Sequence, residues 1–599
     1  MEKSLLLRCP ICGNSIDIWN MEKRLEVICE SFGGKKFCFD SKNCRQHFLE
    51  DPRIAYFSME IGINNDIPTY SGGLGVLAGD IVKASADLNL QMIALTLVSR
   101  KGYFKQRITK QGEQQELPDE WDPSKSLFLM PHTTTITIEG RPVKIQAWMY
   151  DYQSLTGGLV PIVFLDTDVD GNEPEDRRIT DCLYGGDKKY RLKQEMILGI
   201  GGAKLLKKFF FKIRKYHMNE GHSALLTLEL LKENSMDSEK VQNLCVFTTH
   251  TPVEAAFDQF SYDLVEELMG KEYLLSTLKQ YAGQDKLNMT YLALNLSKYV
   301  NGVSKAHMEY SRRLFPGHYI RSVTNGVHSY TWTCKCFRDL FDKYIPGWAN
   351  EPILLVRASE IPNREVWDAH MIAKTKLIDF VEKNTSIKLD PEVLTLGFAR
   401  RSTGYKRATL VFSDIERLID INERGKIQMV FAGKAHPKDE NGKRLIREIY
   451  NNINTLKDRI KIVYLENYDI NMAAMLTSGA DVWLNTPLPP MEASGTSGMK
   501  AAHNGVINFS VLDGWWVEGC VEGVTGWAIG PCPKENLEEA ERRRREITQL
   551  YDKLEYLIIP KFYSNRDDWI KMMENSIGKV AYYFNSHRMM RRYASEAYL

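Results

Sequence analysis

Short apolar runs alternate with longer helical patterns after residue 50, and this alternation constrains the fold more than any other feature of the chain. Such an alternation is typical of parallel βαβ units. We therefore predict an α/β protein with two Rossmann-like, doubly wound domains that bind ligands at the carboxyl ends of their strands. The predicted strands are residues 53–57, 91–98, 143–150, 161–165 and 243–248, and then 393–398, 428–432, 461–464, 481–484 and 506–509.

The length of 599 residues exceeds what a single compact core usually supports. We place a seam between two large domains at about residues 324–391, where the chain is punctuated by Pro316, Pro346, Pro352 and Pro362. The predicted domains are residues 1–50, 51–330 and 331–599. From residue 537 onward the pattern is helical, and we interpret the charged run 538–546 as a solvated helix face.

The charge balance gives no sign of a nucleic-acid or membrane partner. Lysine and arginine number 78 against 77 aspartate and glutamate residues, so no excess of positive charge favours a polyanion. No apolar run approaches the roughly 20 residues of a membrane helix. The apolar stretch of the first seven residues is too short for a signal-peptide core. We expect a cytoplasmic protein that forms a homo-oligomer.

A run of small residues from Ser494 to Ser497 has the chemistry of an anion-binding loop. Small residues allow backbone amides to approach a phosphate, and the helix that follows offers its positive end. Lys500 lies about a turn further on, so one ligand could place its phosphate on the loop and its aldehyde on the lysine. Pyridoxal phosphate is such a ligand. The alternative is an ordinary helix entrance with a surface lysine. The spacing is not that of a nucleotide-binding P-loop.

A second candidate is a basic cluster directly after the predicted strand 393–398. Arg400, Arg401, Lys406 and Arg407 place four cations within eight residues. Their mutual repulsion favours an anion between them, and substrate phosphate is the natural candidate. The alternative is an exposed basic turn.

Two further segments carry weaker signals. Gly72 and Gly73 precede a predicted helix over residues 76–88, where glycines permit close backbone approach to a ligand. His217, Glu220 and His222 lie close together on a predicted loop before a helix, but their spacing is not the H-E-x-x-H spacing of zinc proteases, so we do not predict a metal there. A lone histidine is more often structural.

These segments together resemble one known family. The run from Glu492 to Lys500, followed by residues 504–505 and 512–514, is similar to the cofactor-lysine motif of the glycogen and starch phosphorylases, in their short microbial branch. Smaller matches at residues 192–195, 249–252, 431–435 and 466–468 extend the resemblance over about residues 51–599. It implies two Rossmann-like domains facing a central cleft, the GT-B arrangement. It also implies retaining phosphorolysis of the non-reducing end of an α-1,4-glucan to α-D-glucose 1-phosphate.

The resemblance also implies a role for each candidate residue. Lys500 would carry pyridoxal phosphate, and the cofactor phosphate would lie near Gly495, Thr496, Ser497, Arg400 and Tyr468. Inorganic phosphate would bind Arg401, Lys406 and the amides around Gly72 and Gly73. The glucosyl unit would contact His222, Asn325, Glu492 and Ser494, with His222 and Asn325 on its 6-hydroxyl. Lys500, Arg401, Lys406, His222 and Glu492 are the expected catalytic residues.

This set explains how the reaction could proceed without the two flanking carboxyl groups that ordinary glycosidases use. The motifs supply a place for two phosphates side by side. A phosphate monoester has a second pKa near 6, so it exchanges protons at neutral pH. We expect the cofactor phosphate to pass a proton to the substrate phosphate, which protonates the glycosidic oxygen.

The first 45 residues hold five of the eleven cysteines. Cys9, Cys12, Cys38 and Cys44 suit zinc, copper or another soft metal, and Cys29 is an additional candidate ligand. The block resembles a YHS or TRASH-like module, although its Cys38–Cys44 spacing is longer than that pattern. The alternative is a set of reduced buried thiols.

Two other classes of protein compete with the phosphorylase interpretation. A nucleotide-sugar glycosyltransferase shares the two-domain arrangement but has no use for an aldehyde-binding Lys500. A metal- or glycan-sensing protein that has lost catalysis would explain the cysteines, but it would not need Arg401, Lys406 and Glu492.

Overall fold

The computed structural model describes residues 53–209, 212–254, 257–270 and 272–599. Before them it describes only the backbone of two antiparallel strand pairs, Leu6–Arg8 with Ser15–Asp17 and Ile28–Phe32 with Lys35–Phe39. Among the helices of the described ranges, none is both long enough and apolar enough to cross a membrane.

A nine-stranded sheet organises the first half of the chain. Its spatial order is β9-β8-β7-β6-β1-β2-β5-β4-β3. Seven strands are parallel, whereas β4 and β3 form an antiparallel edge, so this sheet is mixed and not wholly of the predicted doubly wound type. Its strands are β1 (Arg53–Ser58), β2 (Met92–Leu97), β3 (Phe128–Ile138), β4 (Arg141–Gln153), β5 (Leu159–Asp166), β6 (Ile213–Asn219), β7 (Cys245–Thr248), β8 (Tyr299–Gly302) and β9 (Ile320–Ser322).

A six-stranded sheet organises the second half, and all of its strands are parallel. Its order is β12-β11-β10-β13-β14-β15. Successive strands are added toward one edge from β10 to β12 and toward the other edge from β13 onward, so the strand order reverses between β10 and β13. Ligands of doubly wound sheets bind at such a switch point, beyond the carboxyl ends of the two strands. The strands are β10 (Leu394–Ala399), β11 (Ile427–Ala432), β12 (Lys461–Leu465), β13 (Val482–Asn485), β14 (Ile507–Val511) and β15 (Gly526–Ile529).

Helices cover both sheets, and the central strands are buried on both faces, as parallel strands between helical layers must be. Separate apolar clusters fill the two sides of each sheet. The α-helices are Gly73–Asp87, Lys188–Met196, Gly202–Leu206, Leu226–Glu233, Ser238–Leu244, Tyr262–Met269, Leu275–Ala282, Met289–Asn295, Lys305–Leu314, Ser329–Trp332, Lys335–Tyr344, Asn363–Thr385, Ile415–Arg424, Glu440–Leu456, Ile470–Gly479, Ser497–Ala502, Trp516–Gly519, Glu539–Lys553, Ile559–Ser564, Arg566–Asn575 and Ser586–Glu596.

The helix Gly73–Asp87 joins the two halves of the molecule. At its end, Asp87 Oδ2 lies 2.6 Å from His328 Nε2 and 2.8 Å from His587 Nε2. These distances are those of hydrogen bonds donated by both imidazoles to one carboxylate. The final helix, Ser586–Glu596, packs its Met589 and Tyr593 into the apolar cluster beside the first sheet. The chain therefore returns to its first half after completing the second.

Candidate active site

The two loops at the switch point of the second sheet carry most of the predicted site residues. The loop after β10 contains Arg400, Arg401 and Lys406, and the loop after β13 contains Glu492 to Ser497 and leads into the helix Ser497–Ala502. Because β10 and β13 are neighbours and parallel, their carboxyl ends deliver both loops to the same edge. Two segments that the sequence separates by some ninety residues thus form one site.

Lys500 lies in the helix Ser497–Ala502 with only 6% of its surface exposed. Its Nζ is 3.8 Å from the centroid of the Trp332 ring, and within the described residues it makes no hydrogen bond or ion pair. Burial lowers the pKa of Lys500 to about 8, although the charge of Asp80 acts in the opposite direction. A substantial fraction of this amine is therefore neutral and nucleophilic near physiological pH.

The loop before this helix has the shape of a tight cradle. Gly495 has a positive φ of 78°, and Gly514 lies so close beneath the loop that a Cβ there would be 2.3 Å from the carbonyl oxygen of Ser494. Trp483 Nε1 donates to Ser497 Oγ at 3.0 Å. The Thr496 hydroxyl makes no hydrogen bond to any described residue. The loop is therefore fixed from below while Thr496 stays available to a ligand.

Arg400 and Lys406 share one carboxylate. Arg400 Nη2 and Lys406 Nζ each lie 2.5 Å from Glu492 Oε2. Burial raises the pKa of Glu492, but Arg400 and Lys406 outweigh this effect and bring it to about 2. Burial and the charge of Arg400 lower the pKa of Lys406 to about 7 despite its contact with Glu492.

Arg400 also keeps two donors unsatisfied. Its Nε and Nη1 are buried and have no hydrogen-bond partner among the described residues. Such donors are costly to bury, and they are commonly explained by a ligand or ion that completes the site. The Tyr468 ring lies near Arg400, since the arginine charge acts on the tyrosine hydroxyl and lowers its pKa against the larger effect of burial.

The remaining two cations of the loop separate into different roles. Arg401 reaches across to the first half of the molecule, where its Nη2 donates to Ser71 Oγ at 3.4 Å and lies beside Gly72. Arg407 instead turns inward and binds Glu546 at 2.5 Å and the carbonyl oxygens of Thr486 and Pro487. The four cations therefore do not form a single group, and Arg407 stabilises the loop from inside the protein.

The glycine loop after β1 is partly occupied by the protein itself. Glu60 Oε2 accepts from the amides of Ser71, at 2.5 Å, and Gly72, at 3.2 Å. Tyr184 holds the other carboxylate oxygen at 2.9 Å. A Cβ built on Gly73 would meet nothing within 4 Å. Of the two predicted phosphate-contacting positions, Gly73 thus faces open space, whereas the Gly72 amide is already used.

The two predicted contacts to the sugar 6-hydroxyl, His222 and Asn325, both have unsatisfied polar atoms. In the part of the chain that the structure describes, His222 Nδ1 and Asn325 Oδ1 are buried without hydrogen-bond partners. His222 Nε2 lies 3.6 Å from Asp258 Oδ2. Burial, followed by the charge of Arg191, lowers the pKa of His222 to about 3, so the ring is neutral at pH 7. Each residue retains a group that a sugar hydroxyl could satisfy.

A second histidine, His250, was assigned no role from the sequence and lies near His222. His250 Nε2 is 2.6 Å from Asn219 Oδ1, and the His250 amide donates to Glu220 Oε2 at 2.7 Å. Donation from Nε2 leaves Nδ1 as an acceptor in the neutral ring. Residues 249–252 matched the family segment in the sequence, but that match did not indicate a role for His250.

The predicted loop placement of His217 is wrong. This residue lies in β6, and both ring nitrogens are bonded, Nδ1 to Tyr598 at 2.7 Å and Nε2 to Thr248 at 2.8 Å. His217 is therefore a structural residue between the first sheet and the carboxyl-terminal segment.

The predicted metal ligands Cys9, Cys12 and Cys44 lie outside the described residues. Only the backbone of Cys29 and Cys38 is described, and there the two residues face each other across the antiparallel pair Ile28–Phe32 and Lys35–Phe39.

Comparison with known proteins gives a consistent set of relatives. The profile of a family described as carbohydrate phosphorylase matches residues 274–524. A maltodextrin phosphorylase of Thermococcus litoralis is 39% identical, over 92% of this chain and 70% of that protein. Glycogen phosphorylases of Aquifex aeolicus and Mycobacterium tuberculosis are each 36% identical over 91% of this chain, and the matches cover 86% and 70% of those proteins.

Proposed function

Because the chain belongs to the carbohydrate phosphorylase family, we propose that it is an α-glucan phosphorylase. It uses inorganic phosphate to release α-D-glucose 1-phosphate, with retention, from the non-reducing end of an α-1,4-glucan such as glycogen, starch or maltodextrin. The named relatives are a maltodextrin phosphorylase and glycogen phosphorylases, so the substrate class is common to them.

The donor set fits pyridoxal phosphate. Lys500, a buried amine that makes no hydrogen bond or ion pair with a described residue, suits the aldehyde. The Arg400 donors and the Thr496 hydroxyl, which have no hydrogen-bond partner in the same ranges, suit the phosphate. Gly495, Ser497 and Tyr468 complete the proposed cofactor site. When bound, this cofactor supplies a phosphate group that exchanges protons near neutral pH.

The chain's own residues would bind and orient the second phosphate. Arg401 lies beside Ser71 and Gly72, next to the open position at Gly73, so an anion bound there would contact a guanidinium and a backbone amide. Lys406 would turn from Glu492 toward that anion. Two adjacent phosphates repel strongly unless cations and amides surround them, and this is what the loop residues provide.

On the sugar side, we assign the 6-hydroxyl contact to His222 and Asn325, which have free polar atoms. Glu492 and Ser494 would bond other hydroxyls of the glucosyl unit. His222 and His250 are both kept neutral by burial, so either could accept or donate without adding charge beside a positively charged transition state.

The broader organisation extends the same proposal. We place the catalytic cleft between domains of residues 51–330 and 331–599 in the GT-B arrangement, and Arg401 with Ser71 is a contact across that cleft. The protein would act in the cytoplasm as a homo-oligomer. The cysteines of residues 1–50 would bind zinc as a YHS or TRASH-like module.

The observation that carries the proposal is the buried, unpaired Lys500 amine beside a loop with unsatisfied arginine donors. The test is glucose 1-phosphate release from maltodextrin and phosphate by protein loaded with pyridoxal phosphate. We expect Arg401→Ala to reduce this rate by about 10²–10³-fold, the usual cost of removing one electrostatic donor, without changing cofactor absorbance. Arg444→Ala, at an exposed arginine on a nearby helix, is the control.

A protein that binds no pyridoxal phosphate, or a fully active Arg401→Ala variant, would overturn the assignment. Glucosyl transfer from a sugar nucleotide in the same preparation would replace phosphorolysis with the glycosyltransferase alternative.

A further inference from the structure

Two cysteines outside the proposed catalytic groups lie in contact. Cys334 immediately precedes the helix Lys335–Tyr344, and Cys336 is the second residue of that helix. Their sulfur atoms are 3.2 Å apart, and both residues are partly exposed. A disulfide requires a separation of about 2.05 Å. Among the six cysteines of the described ranges, these are the ones whose sulfurs meet.

The surroundings make Cys336 the reactive partner. The hydrogen bond with Cys334 lowers the pKa of Cys336 to about 7, and Lys376 and the amide of Phe337 act in the same direction against burial. The thiolate is the nucleophile in thiol–disulfide exchange. Burial raises the pKa of Cys182, Cys245 and Cys520 instead.

The pair is also connected to the cofactor lysine through one buried side chain. Asn504 Oδ1 accepts from the Cys334 amide at 2.8 Å, while Asn504 Nδ2 donates to the carbonyl oxygens of Trp332, at 2.8 Å, and Lys500, at 3.0 Å. The Trp332 ring lies against Lys500 Nζ, and its Nε1 donates to Asp80. A shift of the backbone at Cys334 therefore acts on the residues that surround Lys500.

We propose that Cys334 and Cys336 form a thiol–disulfide site that reacts with low-molecular-weight disulfides, and that its oxidation lowers the activity of the enzyme. The Cys336 thiolate attacks the disulfide and forms a mixed disulfide, releasing one thiolate. Cys334 then loses its proton to solvent and attacks the Cys336 sulfur, expelling the second thiolate. The protein dithiol thus gives two electrons and two protons to the reagent, which becomes two thiols.

The effect on activity follows from closing the ring. The sulfurs must approach by more than 1 Å from their separation of 3.2 Å, and the short Cys334–Cys336 segment has to adjust with them. This strains the bond between the Cys334 amide and Asn504 and disturbs the position of Trp332 over Lys500. The consequence for activity rests on the proposed phosphorylase function, whereas formation of the disulfide does not.

The experiment treats cofactor-loaded full-length protein with oxidised glutathione and follows two readouts. Peptide mass analysis after alkylation should identify a Cys334–Cys336 linkage, lighter by two hydrogen atoms than the dithiol. Glucose 1-phosphate release should fall about fivefold or more and recover with dithiothreitol. A variant with both residues changed to serine keeps the other nine of the eleven cysteines and should retain its activity under oxidant.

Absence of the linkage peptide, or a stable mixed disulfide at Cys336 that never closes, overturns the proposed site. Full linkage with unchanged activity, or an equal loss of activity in the double serine variant, overturns the coupling to Lys500. A protein that forms the linkage but never releases glucose 1-phosphate refutes the proposed function and leaves the thiol–disulfide site standing.

Discussion

Replacing Glu492 by glutamine removes the carboxylate that Arg400 and Lys406 share. Within the described residues, neither cation has another carboxylate within ion-pair distance. The glutamine has nearly the same shape but no charge, so Arg400 and Lys406 would lose their shared counter-ion, and the pKa of Lys406 would fall further below its ordinary value. We expect the ligand-free variant to be less stable and the donors of Arg400 and Lys406 to be open to an anion.

The magnitude follows from the ionisation of Glu492. The pKa of Glu492 lies at about 2 instead of its ordinary 4.5, and at 1.36 kcal/mol per pKa unit this difference corresponds to about 3 kcal/mol. Breaking a buried ion pair typically costs a similar amount, about 3–5 kcal/mol. Because the folded-state pKa is depressed, this contribution is complete above pH 4.5 and disappears as the pH falls toward 2.

Phosphate binding should change in the opposite direction. In the wild type an entering phosphate must compete with Glu492 for Arg400 and Lys406, and in Glu492→Gln this competition is absent. A bound phosphate takes the place of the missing carboxylate and regains part of the roughly 3 kcal/mol of stability lost with Glu492. At about 1.4 kcal/mol per tenfold, the affinity for inorganic phosphate should therefore rise about 10–100-fold. Catalysis should nevertheless fall, because Glu492 is also the proposed contact to a sugar hydroxyl.

Isothermal titration calorimetry with inorganic phosphate and denaturant unfolding provide the two measurements. The matched control is Glu546→Gln, because Glu546 is also buried and pairs with Arg407 of the same loop at 2.5 Å. The control should lose comparable stability without any change in phosphate affinity. Phosphate binding to Glu492→Gln that is no tighter than to the wild type would show that Arg400 and Lys406 do not form the anion site.

Two further predictions concern the proposed cofactor and sugar contacts. Burial lowers the pKa of Lys500 to about 8, and only the neutral amine reacts with an aldehyde. The rate at which the cofactor-free protein takes up pyridoxal phosphate, measured by stopped-flow absorbance, should therefore rise from about pH 7 to about pH 9 and then level off. A rise that continues toward pH 10.5, the ordinary lysine value, would contradict the effect of burial. If His222 bonds the 6-hydroxyl, His222→Ala should lower kcat/KM for glucose 1-phosphate in glucan synthesis about tenfold. The same variant should hardly change kcat/KM for a 6-deoxy analogue. If His250→Ala shows this selectivity instead, the contact belongs to His250.

Most of the strands predicted from the sequence have continuous apolar runs, although residues 143–150 of β4 alternate. In the second sheet, β10 to β14 were anticipated within two residues, because both of their faces are buried. The edge strand β15 is equally buried but has only four residues, and it was not predicted. By contrast, β3 has alternating exposed residues at the antiparallel edge, and the second and third residues of β6 are the charged Arg214 and Lys215. Neither has the apolar run that a search for buried parallel strands detects. Their positions follow from pairing with β4 and β1, which is a tertiary property.

The positions of the site loops could be predicted for a related reason. A doubly wound sheet collects ligand-binding loops at the carboxyl ends of neighbouring strands, so a basic loop after β10 and a small-residue loop after β13 needed only the correct strand assignment. Which side chains pair across those loops could not be predicted. Glu492 is 92 residues from Arg400, and Glu546 is 139 residues from Arg407.

These distant carboxylates change the electrostatic meaning of the basic cluster. From the sequence, four cations within eight residues favoured an external anion, with an exposed basic turn as the alternative. In the folded protein, Glu546 neutralises Arg407 permanently, whereas Glu492 has two cations on a single oxygen and leaves other donors of Arg400 unsatisfied. Arg401 has no carboxylate within ion-pair distance in the described residues. The uncompensated positive charge is therefore less than the local sequence suggests. It is confined to Arg400, Arg401 and Lys406, where the proposed reaction requires its two phosphates.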